Sequence, residues 1–346
     1  MLTAEGCRGR IARFLDRLRP SAPIALGDPL HLCYFANAYW DPFSLGADFG
    51  GTLLIRPDGH TTLHYDSRSP KSVDAAFADE REITKWYDGQ SPGRGSRRLI
   101  QPTAPEESAR IQETVDELRR SKDPDELALL HRCMRVTEAG HAWARANVQP
   151  AMTELDVYTG ILAACTKAAG QPVIVYGDFA VSPGSAKRSG MATNRAIQSG
   201  ETLILDFSVV IQGYRSDFTN TLVVGTEASP DQRQLFDCCV RAMAAGEAEL
   251  KSGATCQTVY DAVRGVFENA GVADKFPHHA GHGLGLSHPE APFIVRHSTE
   301  TLSAGDVVTL EPGLYVDGVG GIRIEHNYAI TATGYERLSN HAIALG

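Results

Sequence analysis

The sequence has no surplus of positive charge: 33 Lys and Arg stand against 42 Asp and Glu, a formal net charge of −9 at pH 7. That balance leaves no basic footprint for nucleic acid. It also lacks any apolar run approaching membrane-spanning length, and its opening, Met-Leu-Thr-Ala-Glu-Gly-Cys-Arg, does not read as a signal peptide. No Cys-X-X-Cys occurs among its seven cysteines, and an odd number fits reduced thiols better than a disulfide framework. A soluble, cytoplasmic chain without membrane or nucleic-acid partners is therefore expected. Repeats and low-complexity tracts are missing too. So is any histidine between His141 and His278. At 346 residues and 42% hydrophobic content, the chain can bury a substantial core, with a length that favours about two domains.

What is present is a series of potential metal ligands in glycine-rich or strand-like settings. Asp206 lies in Leu-Ile-Leu-Asp-Phe, Asp217 in Tyr-Arg-Ser-Asp-Phe, and His282 in Gly-His-Gly. Glu311 lies in Leu-Glu-Pro-Gly and Glu325 in Arg-Ile-Glu. Four carboxylates beside one imidazole are untenable in a half-buried pocket without compensation. Two divalent cations would cancel the charge and leave a bridging hydroxide for hydrolysis. One nitrogen among oxygen ligands suits Mn, Co, Zn or Fe without choosing among them.

Strand periodicity sharpens this pattern. Residues 202–210 and 214–224 read as a hairpin turning at Gln212-Gly213. If Ile211 pairs with Tyr214, Ser208 faces Asp217 and Asp206 faces Thr219. The two aspartates then share a face as diagonal neighbours, roughly 7–8 Å apart at the backbone. Asp306–Glu311 reads as another strand, ending at Pro312-Gly313. After a glycine-rich loop, 322–330 alternates so that Arg323 and Glu325 share a face, where Arg323 would orient the carboxylate or bind a substrate oxygen. Glycines around His282 permit close approach of backbone to a metal or ligand, and Pro277 with Gly281, Gly283 and Gly285 argues against a helix there.

These motifs resemble the pita-bread metallopeptidases, which include methionine aminopeptidase, Xaa-Pro aminopeptidase, prolidase and the metal-free relative creatinase. The resemblance covers nearly the whole chain. It implies an α+β fold, with a creatinase-like α/β N-terminal domain over residues 1–118 and a pita-bread catalytic domain over 119–346. It implies that Asp206 binds one ion, that Asp217 and Glu325 bridge both, and that His282 and Glu311 complete the ligand set of the second ion. Glu311 is also a candidate proton acceptor. His278 matches a position linked to substrate binding, and the N-terminal domain suggests a homodimer.

Two departures stand out. Peptidases of this kind carry a histidine seven positions after the metal histidine; here that position is Pro289, with His288 one earlier. On an extended segment such an offset can turn a side chain to the opposite face, and a local bulge would restore its aim, so His288 is a candidate acid–base residue. A second histidine is expected eleven residues before Gly200, where Ser189 stands, and Thr193–Gly200 looks like creatinase. The leading expectation is an Xaa-Pro-type aminopeptidase or dipeptidase acting on a small peptide or amide-like substrate. A creatinase-like or ectoine-hydrolase-like C–N hydrolase or lyase on the same metal core is the alternative. A non-catalytic binding protein on this fold is a third reading.

The N-terminal stretch predicts an amphipathic helix from Ile11 and strands at 23–26, 52–56 and 60–65, with Pro57-Asp58-Gly59 as a turn. Tyr39–Phe43 is an aromatic stretch expected to pack in a core, and 91–104 reads as a loop. Helices are expected near 125–146, 154–169, 231–250 and 256–270. The third starts at a Ser229 cap with Pro230 in its first turn and Gln232 three after the cap.

Overall fold

A computed structural model describes residues 1–40, 51–66, 71–84, 105–182 and 190–346. Asp41–Phe43 of the aromatic stretch, the 91–104 loop and Ser189 lie outside the described residues. The chain divides into two compact units, one of Met1–Arg119 with Asp123–Leu129, the other of Arg120–Lys122 with Leu130–Gly346.

The first unit opens with helix α1 (Ala4–Leu18), capped by the Thr3 hydroxyl accepting from Gly6 N. Strand β1 (Ile24–Leu26) follows, then α2 (Pro29–Ala36), which sequence patterning alone did not resolve as a helix. Its start is nonetheless a standard one, with the Asp28 carboxylate accepting from Leu30 N and Pro29 in the first turn. Strands β2 (Gly51–Ile55), β3 (Thr61–Asp66) and β4 (Glu80–Thr84) complete a sheet in the order β1-β2-β3-β4. The last pair runs parallel and the others antiparallel. Helices α1 and α2 meet through Phe14 and Phe35, with ring centroids 5.0 Å apart. Helix α3 (Pro105–Arg120) follows.

Helix α4 (Pro124–Asn147) starts in the first unit and belongs to the second from Leu130 onward, and α5 (Glu154–Ala169) follows, started by a Thr153–Asp156 capping box. Then come β5 (Ile174–Asp178), β6 (Val181–Ser182), β7 (Thr202–Ile211), β8 (Tyr214–Arg215) and β9 (Phe218–Val223). Strand β7 is the centre of this sheet; β5 and β6 pair along one edge, β8 and β9 along the other. The expected hairpin register is present: Ile211 pairs with Tyr214 and Asp206 with Thr219. Gln212 and Gly213 both take positive φ, 52° and 84°, as a tight two-residue turn matched to strand twist requires.

Helices α6 (Pro230–Glu247) and α7 (Cys256–Asn269) follow, α6 beginning at the Ser229–Gln232 capping box. A second sheet has the order β11-β10-β12-β15-β16, from β10 (Gly281–Gly283), β11 (Glu290–Ile294), β12 (Val307–Leu310), β15 (His326–Ile330) and β16 (Tyr335–Arg337). A separate ribbon pairs β13 (Gly313–Val316) with β14 (Gly320–Arg323). The single strand expected over 322–330 is therefore two strands in two sheets, broken at Ile324 and Glu325. Beneath them, Cys239, Val259, Val263, Phe267, Leu310, Ile322 and Tyr328 form a closed core with α6 and α7. All seven cysteines are buried and unbridged. Among the described residues no helix is long and apolar enough to cross a membrane.

Candidate active site

Asp206 within β7, His282 within β10, and Asp217, Glu311 and Glu325 at the ends of β9, β12 and β15 come together in one pocket. Ligand-type atoms of Asp206, Asp217 and Glu325 lie within 4.8 Å of one another, and so do those of His282, Glu311 and Glu325. Glu325 belongs to both triads because the chain breaks between β14 and β15 at that residue. A continuous strand would not free it to reach both.

Each side chain is aimed by its local frame. The Asp217 backbone is clamped by Asn327, whose Oδ1 accepts from Asp217 N at 3.2 Å while its Nδ2 donates to Asp217 O. Ser208 Oγ donates to Asp217 Oδ1 at 3.3 Å across the hairpin. Thr219 Oγ1 donates to Glu325 Oε2 at 2.7 Å. His282 Nδ1 lies 2.9 Å from Gly283 O, which leaves Nε2 facing Asp217 Oδ2 at 3.4 Å and Glu311 Oε1 at 3.6 Å. The flanking glycines serve a purpose different from the expected one. A Cβ on Gly281 would fall 2.0 Å from Thr309 O, and one on Gly283 would fall 2.1 Å from Ala291 O. They let neighbouring strands close on β10 rather than admitting a ligand.

The electrostatics show a pocket short of positive charge. Burial pushes Asp206 up to about 7; Arg323 pulls it down in part, while the charges of Asp217 and Glu311 push it up. Glu325 is driven well above the carboxylate range by burial and by Asp217, Glu311 and Asp206. Burial also raises Asp217, but hydrogen bonds from His282 and His288 outweigh it and hold that carboxyl low. Burial would lower His282, yet Asp217 and Glu311 raise it to about 9. Crowding of the four acids thus favours the uncharged form of Asp206 and Glu325. Glu325 Oε1 is buried with no hydrogen-bond partner among the described residues. An orphaned, buried carboxylate oxygen at the junction of two acidic triads fits a divalent cation, and the hard oxygen donors with one imidazole suit it chemically.

The remaining predicted residues are also there, with corrections. Arg323 does not pair with Glu325: its Nη2 lies 2.6 Å from Asp206 Oδ2 and 2.8 Å from Asp178 Oδ2, because the strand ends between residues 323 and 325. Residues 285–289 form bends rather than extended chain, so the face-alternation argument does not govern His288. Its Nε2 lies 2.6 Å from Asp217 Oδ2. His278 Nε2 lies 3.0 Å from Tyr315 Oη, which accepts from Arg323 Nη1 at 3.1 Å. Burial lowers His278 to about 4. Sequence reasoning missed three members of this network. His279 Nδ1 lies 3.3 Å from Glu311 Oε1. Asp178 pairs in register with Asp206, and Tyr315 sits two residues past Gly313. The apolar strand before Asp178 was the usable signal for that residue.

Residues 128–332 match the model of metallopeptidase family M24. An uncharacterized peptidase of Staphylococcus saprophyticus is 29% identical over 336 residues, covering 90% of this chain and 93% of that protein. One from Staphylococcus aureus is 25% identical over 360 residues, covering 96% and 99%. Among solved structures, the prolidase from Pyrococcus horikoshii has a TM-score of 0.79 at 20% identity, covering 98% of this chain and 100% of that one. An Xaa-Pro dipeptidase from Bacillus anthracis has a TM-score of 0.79 at 23% identity, covering 99% of each. These likenesses establish the α+β pita-bread fold. The chain belongs to metallopeptidase family M24, and is a metal-dependent hydrolase of that family.

Proposed function

We propose that this protein is an Xaa-Pro-type aminopeptidase or dipeptidase whose pocket holds two divalent ions. The observation that carries this reading is the pair of acidic triads sharing Glu325, with its unpartnered Oε1. Asp206 would hold one ion, His282 and Glu311 the other, and Asp217 and Glu325 both. Mn, Co, Zn and Fe all suit that donor set. Bound there, such ions polarise a carbonyl oxygen and lower the pKa of a coordinated water from 15.7 toward about 7.

The chain's own residues supply the proton handling. His288 Nε2, 2.6 Å from Asp217 Oδ2, holds a proton at the pocket edge for the leaving nitrogen. His278 stays neutral near pH 7, since burial lowers it to about 4; with Nδ1 2.7 Å from His279 O and Nε2 3.0 Å from Tyr315 Oη, its ring steadies Tyr315 beside the substrate. Glu311 takes up the proton released during attack. Arg323 locks Asp206 and Asp178 in place and presents its guanidinium beside the substrate oxygen. In this reading residues 1–118 form a creatinase-like domain that supports a homodimer, and the enzyme works in the cytoplasm.

A non-peptidase C–N hydrolase or lyase on the same core is the second reading, favoured by the missing histidine between His141 and His278. The two are separated by assaying metal-stripped enzyme, refilled in turn with Mn, Co, Zn and Fe, on Xaa-Pro dipeptides and tripeptides. Metal-dependent release of the N-terminal residue, abolished in Asp217→Ala, is expected. No release from any peptide by fully loaded enzyme would favour the small-molecule reading instead.

A further inference from the structure

We propose that Arg215 determines substrate specificity by receiving a carboxylate of the substrate; this rests on the peptidase reading of the pocket. Cross-strand partners share a face of a sheet. The register therefore puts Arg215 with Val210 and Ile174, Tyr176 with Ser208, and Asp178 with Asp206 and Thr219, all on the face that carries the pocket. Arg215 is two residues from Asp217, on the order of 6–7 Å along an extended chain.

The guanidinium is held in place but its charge is not matched. Nη1 donates to Tyr176 Oη at 2.9 Å and Nη2 to Leu286 O at 2.9 Å, while Nε is buried without a partner. Among the described residues no carboxylate lies within ion-pair distance of Arg215, whereas Arg323, reaching Asp178 and Asp206 from β14, meets two. The Arg215 guanidinium carbon sits 5.9 Å from the Tyr176 ring centroid, and that ring lies edge-on to His288 at 6.2 Å. A half-buried guanidinium fixed by two neutral acceptors, one aromatic ring from His288, is a preorganised carboxylate receptor. These two hydrogen bonds leave one further N–H on each of Nη1 and Nη2 for a ligand.

A substrate can offer that carboxylate at its C-terminus or on an acidic side chain. The test uses two matched pairs on metal-loaded enzyme: Ala-Pro against its C-terminal amide, and Glu-Pro amide against Gln-Pro amide. Dissociation constants and kcat/KM are measured for the natural protein and for Arg215→Gln and Arg215→Lys. The charged member of one pair is expected to be favoured on the order of 10- to 100-fold. That ratio should collapse toward one in Arg215→Gln and recover in part in Arg215→Lys. The pair that discriminates identifies the source of the carboxylate. If Arg215 only braces the 284–289 loop, its loss would weaken both members of each pair equally and leave the ratio unchanged, which overturns the proposal. Charge selectivity in binding without hydrolysis of any peptide would keep Arg215 in this role and reject the peptidase reading.

Discussion

His288 Nε2 lies 2.6 Å from Asp217 Oδ2, although His288 stands one position away from where a family histidine is expected. The bends over 285–289 bring it into the pocket from a loop. If it handles the proton of the leaving group, His288→Ala should lower kcat about 10²- to 10⁴-fold. Metal content should be unchanged. Steady-state kinetics alongside metal analysis check this; a change within twofold would remove His288 from the chemistry.

Thr219 and Glu325 are 106 residues apart in sequence and joined by a 2.7 Å hydrogen bond. That bond fixes which oxygen of Glu325 stays free. Thr219→Val keeps the shape and removes the donor. We expect metal affinity to fall about 10- to 100-fold, the usual cost of losing an orienting partner behind a ligand. Competition with a chelator measures it, and unaltered affinity would show that Glu325 is aimed by packing alone.

His341 is buried behind the hairpin, stacked on Phe218 at 4.3 Å, with Nε2 3.0 Å from Thr219 O. Burial lowers it from 6.5 to about 4, with Arg145 and Arg337 adding to the effect. Between those values the unfolded chain binds the proton and the folded one does not, so stability falls as pH drops through this window, by up to about 1.4 kcal/mol per pH unit. Urea unfolding of His341→Phe should show a shallower loss of stability between pH 6.5 and 4. An identical slope would assign the acid sensitivity to other groups.

In the first unit, Arg10 is fully buried and its Nη1 meets Asp125 Oδ1 at 2.9 Å and Asp123 Oδ2 at 3.1 Å. Its Nε donates to Tyr34 O at 2.7 Å. Arg10→Met retains bulk but leaves Asp125 buried without this cation, which should cost about 3–5 kcal/mol. Denaturant unfolding gives the number directly; a loss below about 1 kcal/mol, the worth of an exposed pair, would show that water replaces the arginine.

The sequence made the hairpin legible because period-two alternation and a two-residue turn fix register together, and Asp206 duly meets Thr219. Helix starts were legible at Ser229 and Thr153, where the cap is local chemistry. The break at Ile324–Glu325 was not, since alternation continues across it and the switch of sheet comes from tertiary pairing. Asp178 escaped for the same reason: it joins the pocket through Arg323, a partner 145 residues away. His288 was visible as a residue but its aim depended on bends that alternation cannot represent.

The central claim is that the two triads sharing Glu325 hold two ions. The most direct measurement is metal content per chain, by mass spectrometry of stripped protein refilled to saturation with Mn, Co, Zn or Fe. The account predicts two ions per chain for at least one of these metals, and a reduced count in both Asp217→Ala and Glu325→Ala. Saturation at one ion or none with every metal would contradict it.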